Sequence, residues 1–178
     1  MIHEAIEFAA IMHDGQKRKG TNTPYIVHPM EVMYYLVLEG ADKDTVTAGI
    51  LHDVVEDTPV TIDEIESRFG RPVAELVGYE TEDKSKIWAE RKKETILRLK
   101  DAPEGAMLIC AADKLCNLKS IYSDMKTDED VWARFTGDRA RSRWYYSGII
   151  DALEPLKERF VYTRLVYYFE QVFGTSLS

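Results

Sequence analysis

The stretch "ILHDVVEDTP" (50–59) places His52, Asp53, Glu56 and Asp57 within six positions, with two valines between the pairs. Charged carboxylates at ~4 Å repel by about 4 kcal/mol at an effective dielectric of 20. A divalent cation among them reverses the sign. Imidazole and carboxylate are both metal ligands, so adjacent His52 and Asp53 can hold one ion. Glu56 and Asp57, one turn further on, are spaced to handle a proton beside it. A solvated acidic helix end is the alternative. Asp113 in the apolar run "MLICAADKLCNL" (107–118) is the best partner from elsewhere. A carboxylate buried there needs a cation or several donors, and a salt bridge to Lys114 or a distant arginine would also serve. Asn117 follows one turn later on the same face. His28, in "PYIVHP", stands at a helix entrance, where capping competes with ligation; His3 and His13 read as ordinary members of the first helix.

The elements that must position these groups are helical. On a wheel at about 100° per residue, 45–57 reads as one helix. Val46, Ile50, Leu51, Val54 and Val55 share one arc, and His52, Asp53, Glu56 and Asp57 share the opposite one. Gly49 falls in the middle of the polar arc, where a close neighbour or ligand would account for the missing side chain. Thr58-Pro59 ends the helix. Before it, "MIHEAIEFAAIMHDG" predicts a helix stopped near Gly15, "GQKRKGTNTPYIVH" a loop, and "PMEVMYYLVLEG" a helix opened by Pro29 and ended by Gly40. Asp42 or Asp44 caps the helix of the opening stretch, and Thr61 with Glu64 forms a capping-box pattern. Pro72 opens the next helix. "KSKIWAERKKETILRLKDAP" is amphipathic and Pro103 separates it from the Asp113 helix; further helices fall near 128–135, 138–158 and 162–173. No alternating strand is evident. The expected fold class is all-α, a single domain over 1–178.

Composition narrows the function. Apolar residues make up 45% of the 178, enough for a sizeable core. No apolar run approaches the ~20 residues that span a bilayer, and the N-terminus lacks a secretory signal, which together predict a soluble cytoplasmic protein with no membrane partner. A net charge of −8 argues against a nucleic-acid partner. Local basic clusters at 15–20, 90–93 and 138–143 suit a small anionic ligand, or are solvated faces. Cys110 and Cys116 read as two buried thiols. The aromatic helix "FVYTRLVYYFEQVFG" reads as core packing, and nothing in the sequence sets the oligomeric state.

The sequence resembles the HD-domain phosphohydrolases, and within them the hydrolase domain of RelA/SpoT-type alarmone enzymes, above all the stand-alone small alarmone hydrolases. The carriers, in order, are "HDGQKRKGTNTPYIVHP", "AGILHDVVEDT", "FGRPVAELV", "EDKS", "ERKKETI" and "AADKLCNL". The resemblance implies a compact bundle of about ten helices. It implies metal ligands at His28, His52, Asp53 and Asp113, and catalytic acids at Glu56 and Asp57. It puts Arg18 near the nucleobase with Lys19 and Tyr25 beside it, and Asn117 near the sugar. The usual metal would be Mn²⁺; a mixed N/O donor set also suits Fe²⁺ or Zn²⁺. The implied reaction releases pyrophosphate from the 3′ position of (p)ppGpp-like purine nucleotides. Lys84, Lys86, Arg91 or Lys92 are then placed to hold the distal phosphates, with simple solvent exposure the alternative. The family's synthetase domain and any regulatory domain are not expected within these 178 residues. Two departures stand out. "ADKLCN" carries Cys116 where a histidine is frequent, and Trp88 stands where some animal relatives carry a substrate-binding lysine; it is expected to anchor its helix. Another HD-type phosphohydrolase, acting on a monophosphate or cyclic nucleotide, and a metal-dependent nucleotide-binding module are the alternatives.

Overall fold

The computed structural model describes residues 1–127, 131–134 and 138–174. Among them the chain is all-α: α1 (Ile2–Met12), α2 (Val27–Leu38), α3 (Lys43–Leu51), α4 (Val54–Asp57), α5 (Ile62–Phe69), α6 (Arg71–Glu80), α7 (Trp88–Leu99), α8 (Glu104–Asp124), α9 (Arg139–Ala152) and α10 (Phe160–Phe173). The start signals act as their chemistry requires. Asp42 accepts the Thr45 amide at 2.7 Å and Thr61 accepts that of Glu64 at 3.3 Å, each satisfying a helix-end N–H that has no partner within its helix. One isolated bridge, Lys17 to Pro24, closes the loop between α1 and α2. Its tip turns through Gly20 at φ 75°, a conformation that favours glycine.

Helix α8 is the axis of the bundle, buried along most of its length and flanked by α2, α3, α6 and α10. Ile109, Leu115 and Leu118 join Leu36, Ile50, Leu51, Ile149, Leu165 and Phe169 in the fully buried core. The aromatic C-terminal helix is core packing as expected: Val161, Leu165, Phe169, Val172 and Phe173 are buried. Cys110 and Cys116 are buried free thiols. Several boundaries differ from expectation. The helix expected over 138–158 stops at Ala152, because Pro155 lacks the N–H that would continue it, and a 3₁₀ turn Glu154–Leu156 follows. The one expected near 128–135 extends outside the described residues; Val131–Arg134 within it is a 3₁₀ turn. Helix α2 begins two residues before Pro29, which is tolerated in a first turn whose N–H groups lack intrahelical partners, so His28 lies inside the helix.

Candidate active site

Three parts of the chain deliver four ligand-type side chains to one point. His28 comes from the first turn of α2, His52 and Asp53 from the junction of α3 and α4, and Asp113 from the middle of α8. His28 Nε2 lies 3.0 Å from Asp113 Oδ1 and 3.6 Å from Asp53 Oδ2. His52 Nε2 lies 3.0 Å from Asp53 Oδ2 and 3.9 Å from Asp113 Oδ1. Both histidines and Asp113 are buried, and ligand atoms from these three lie within 4.8 Å of one another.

The expected single helix over 45–57 is broken here, and the break builds the site. His52 Nδ1 lies 2.8 Å from the Gly49 carbonyl. A carbonyl only accepts, so Nδ1 carries the proton and a neutral ring presents its lone pair at Nε2. That carbonyl is also the one the Asp53 amide would take in a continuous helix. The helix ends at Leu51, and the short helix α4 starts at Val54. Gly49 itself faces the core and not the polar side: a Cβ there would lie 2.2 Å from Leu36 Cδ1 of α2. The missing side chain serves helix packing.

The donor set fits a divalent cation. His52 Nε2 is buried without a hydrogen-bond partner, though two carboxylate oxygens lie within 3.9 Å. Burial pushes the His52 imidazolium down, but Asp53 beside it prevails and brings its pKa up to about 10. Buried Asp113 and partly buried Asp53 thus demand positive charge at this point, which a proton or a metal ion supplies. Burial also disfavours the charged form of Asp113, yet Lys114, with His28, holds it well below the usual carboxylate range. Lys114 pairs with Asp113 Oδ2, so the anticipated salt bridge exists and leaves Oδ1 facing the histidines. Asn117 Nδ2 donates to that same Oδ1 at 2.5 Å, and the Tyr25 hydroxyl donates to Asp53 Oδ2 at 2.6 Å. Such outer contacts orient ligating groups.

Glu56 and Asp57 share the pocket of about 190 Å³ that holds this cluster. Burial, then the charge of Asp53, raises the Glu56 pKa. Lys84 donates to the Glu56 carbonyl at 2.6 Å and to Asp57 Oδ1 at 3.1 Å. Gln16 Nε2 donates to the Asp57 carbonyl at 3.0 Å and ties the loop to the acids. Arg18, Tyr25 and Asn117 border a second cavity of about 290 Å³, also reached by Lys19, Ser120, Ile121, Asp124 and Tyr146. Arg18 donates to Asn117 Oδ1 at 2.9 Å and lies 5.9 Å from the Tyr25 ring centre.

Not every anticipated residue joins. Lys86 is drawn to Glu94 at 2.7 Å, and Arg91 lies 3.4 Å from Glu82; neither borders the two cavities. Lys92 does border the cluster, held by Glu82 at 2.8 Å. Trp88 packs against Trp144 and Tyr145, anchoring α7 as expected. His13 is buried, bonded to Gln16 and stacked on Tyr25 at 4.9 Å, which makes it a support of the loop. Glu80 was missed: it borders the cluster and its Oε1 is buried without a hydrogen-bond partner. Burial pushes its carboxyl up to about 7, with Lys114 opposing and Asp113 adding to the rise. Nothing in "LVGYE" marks it apart from any polar helix end.

Comparison with known proteins places this geometry. The HD-domain family profile matches residues 5–138. The chain belongs to the HD-domain family. Mouse guanosine-3′,5′-bis(diphosphate) 3′-pyrophosphohydrolase MESH1 is 43% identical over 121 residues, covering 66% of this chain and 68% of that protein. The Drosophila melanogaster protein of the same name is 36% identical over 149 residues, 78% of this chain and 83% of its own. The solved structure of a metazoan orthologue of SpoT, described as hydrolysing ppGpp, superposes with a TM-score of 0.81 at 30% identity over 98% of this chain and 96% of that one. HD-domain hydrolases bind divalent metals, and His28, His52 and Asp113 form the candidate site for one in this member.

Proposed function

We propose that this HD-domain protein is a metal-dependent 3′-pyrophosphohydrolase acting on (p)ppGpp-like purine nucleotides. The observation that carries the reading is the junction of two cavities. The pocket that holds His28, Asp53 and Asp113 shares Arg18, Tyr25 and Asn117 with a neighbouring space of about 290 Å³, near the ~300 Å³ at which small-ligand pockets begin. The names of the relatives agree with it.

The four ligands would hold Mn²⁺, with Fe²⁺ or Zn²⁺ compatible with the same donors. Bound there, the ion supplies Lewis acidity toward a phosphoryl oxygen and acidifies a water. Glu56 and Asp57 orient the attacking water and take its proton; the raised pKa of Glu56 suits it to accept that proton. Water adds to the first phosphorus of the 3′ group, and the bond from that phosphorus to the nucleoside 3′-oxygen breaks. Pyrophosphate keeps the oxygen of water, and the 3′-oxygen leaves with a proton. Lys84 steadies the acid pair, Arg18 offers a planar cation for the purine face, and Lys92 contributes positive charge beside the phosphates. Tyr25 and Asn117 hold the carboxylates of Asp53 and Asp113 in place. The test incubates protein loaded in turn with Mn²⁺, Fe²⁺ and Zn²⁺ with ppGpp, its adenine counterpart, GDP, GTP, a monophosphate and a cyclic nucleotide. Pyrophosphate released from the 3′-substituted nucleotides is the expected result. Inorganic phosphate as product, or equal turnover of GDP, overturns the reading in favour of a general phosphohydrolase.

A further inference from the structure

The acid pair rides on a single helical turn. The bonds that close α4 run from the Asp57 amide to the Asp53 carbonyl at 2.9 Å and from the Thr58 amide to the Val54 carbonyl at 3.1 Å. An isolated turn is marginal in water, because its few bonds scarcely offset the ordering of its backbone. The carbonyls of Glu56 and Asp57 stand at its end, where a helix has no amide of its own to offer them. Side chains from two other segments meet them. Lys84 donates to the Glu56 carbonyl at 2.6 Å, and Gln16, in the loop after α1, donates to that of Asp57 at 3.0 Å. Gln16 is itself aimed. A carbonyl only accepts, so the amide turns Nε2 toward Asp57 and leaves Oε1 for His13 Nδ1, 2.8 Å away. Oε1 also only accepts, so Nδ1 carries a proton. The other ring nitrogen, Nε2, is buried without a hydrogen-bond partner among the described residues. Packing on Tyr25, with ring centres 4.9 Å apart, holds the rest of the ring. The Tyr25 amide donates to the Gln16 carbonyl at 2.9 Å and its hydroxyl to Asp53 Oδ2 at 2.6 Å.

We infer that Gln16, oriented by His13, is a positioning residue that holds the heading of the acid pair; the inference rests on the nucleotide-hydrolase reading above. Gln16 reaches the chemistry only through the Asp57 backbone. Without its bond α4 frays, and Glu56 and Asp57 meet the attacking water less often. Arg18 keeps its bond to Asn117, and the loop keeps its own backbone bonds from Arg18 to Thr23 and from Thr21 to Arg18. Substrate binding is therefore spared, and the loss falls on kcat. The net worth of one hydrogen bond corresponds to roughly a 3- to 10-fold change.

The test compares the full chain with three variants. In Gln16→Glu the carboxylate still accepts from His13 but has no N–H for the Asp57 carbonyl. His13→Phe keeps an aromatic ring against Tyr25 and removes the donor. His13→Asn carries an N–H on its γ carbon, the atom to which Nδ1 is joined in histidine. Pyrophosphate release from ppGpp is measured with metal content, and amide hydrogen exchange is followed in α4 and α8. Gln16→Glu and His13→Phe should lower kcat roughly 3- to 10-fold with KM and metal content unchanged. Exchange of the Asp57 and Thr58 amides should quicken in both by a similar factor, with α8 unaltered. His13→Asn should recover most of the kcat and the slow exchange. Equal losses in His13→Phe and His13→Asn make the histidine a packing residue and overturn the inference. Wild-type kcat and exchange in Gln16→Glu, a raised KM at unchanged kcat, or faster exchange in α8 as well overturns it too. Absence of pyrophosphate release from wild type counts against the hydrolase reading, and exchange in α4 then decides alone whether Gln16 and His13 brace the turn.

Discussion

Replacing Glu80 by glutamine isolates one buried charge beside the metal cluster. Glu80 has an ordinary value of 4.5 and is raised to about 7 in the fold, chiefly by burial. Between those two values the folded protein keeps a proton that the unfolded chain has released. The stability this proton contributes is complete below pH 4.5 and is lost as the pH rises through about 7. A separation of roughly two and a half pH units corresponds to about 3 kcal/mol, as an order of magnitude. Glutamine keeps the shape and cannot ionise. In metal-free protein, Glu80→Gln should therefore differ little from wild type near pH 4.5 and exceed it by up to about 3 kcal/mol at pH 8. Urea denaturation at both pH values, with unchanged m-values, measures this. An equal effect at the two pH values would refute the reasoning, because a packing change has no reason to track the titration. A loss of stability at pH 8 would mean that the Glu80 charge is worth more to Lys114 than its burial costs.

Other expectations concern the cluster and its supports. Asp113→Ala should abolish metal binding and turnover together, and wild type should gain about 2.7 kcal/mol of stability from metal at a hundredfold excess over Kd while the variant gains none. Metal analysis and thermal melts check it. Glu56→Gln or Asp57→Asn should retain the metal and lose on the order of 10²-fold or more in kcat; near-normal rates in both would remove them from the chemistry. Gly49→Ala should destabilise by about 1–3 kcal/mol, because the Leu36 methyl has no room to retreat within the core. An unchanged denaturation midpoint would show that α2 can yield.

Much of this site was legible because its information is local. The HDVVED stretch, the aspartate in an apolar helix and the caps Asp42 and Thr61 announce themselves through residue type and spacing. Trp88 also read correctly as a helix anchor, since an indole cannot replace the charge of a lysine. What escaped depends on geometry between distant segments. The wheel placed Gly49 on the polar side, but it assumed a continuous helix, and the break after Leu51 is invisible to periodicity. Lys86 and Arg91 looked as available as Lys84 and Lys92. Which lysine or arginine reaches the cluster depends on where Glu82 and Glu94 stand, and that follows from how α7 packs on the rest. Glu80 borders the cluster only because α6 packs on α3 and α8.

His52 joins the candidate metal site to the helix that carries it. Its Nε2 offers the ligand nitrogen, and its Nδ1 bonds the Gly49 carbonyl one turn back, which fixes the heading of the ring. A residue without that second nitrogen would keep no such anchor on α3. Exchanging the metal preference of the site by altering His52 would therefore loosen the ligand as well as replace it, so new ligand chemistry enters more safely at His28, whose Nδ1 has no hydrogen-bond partner among the described residues.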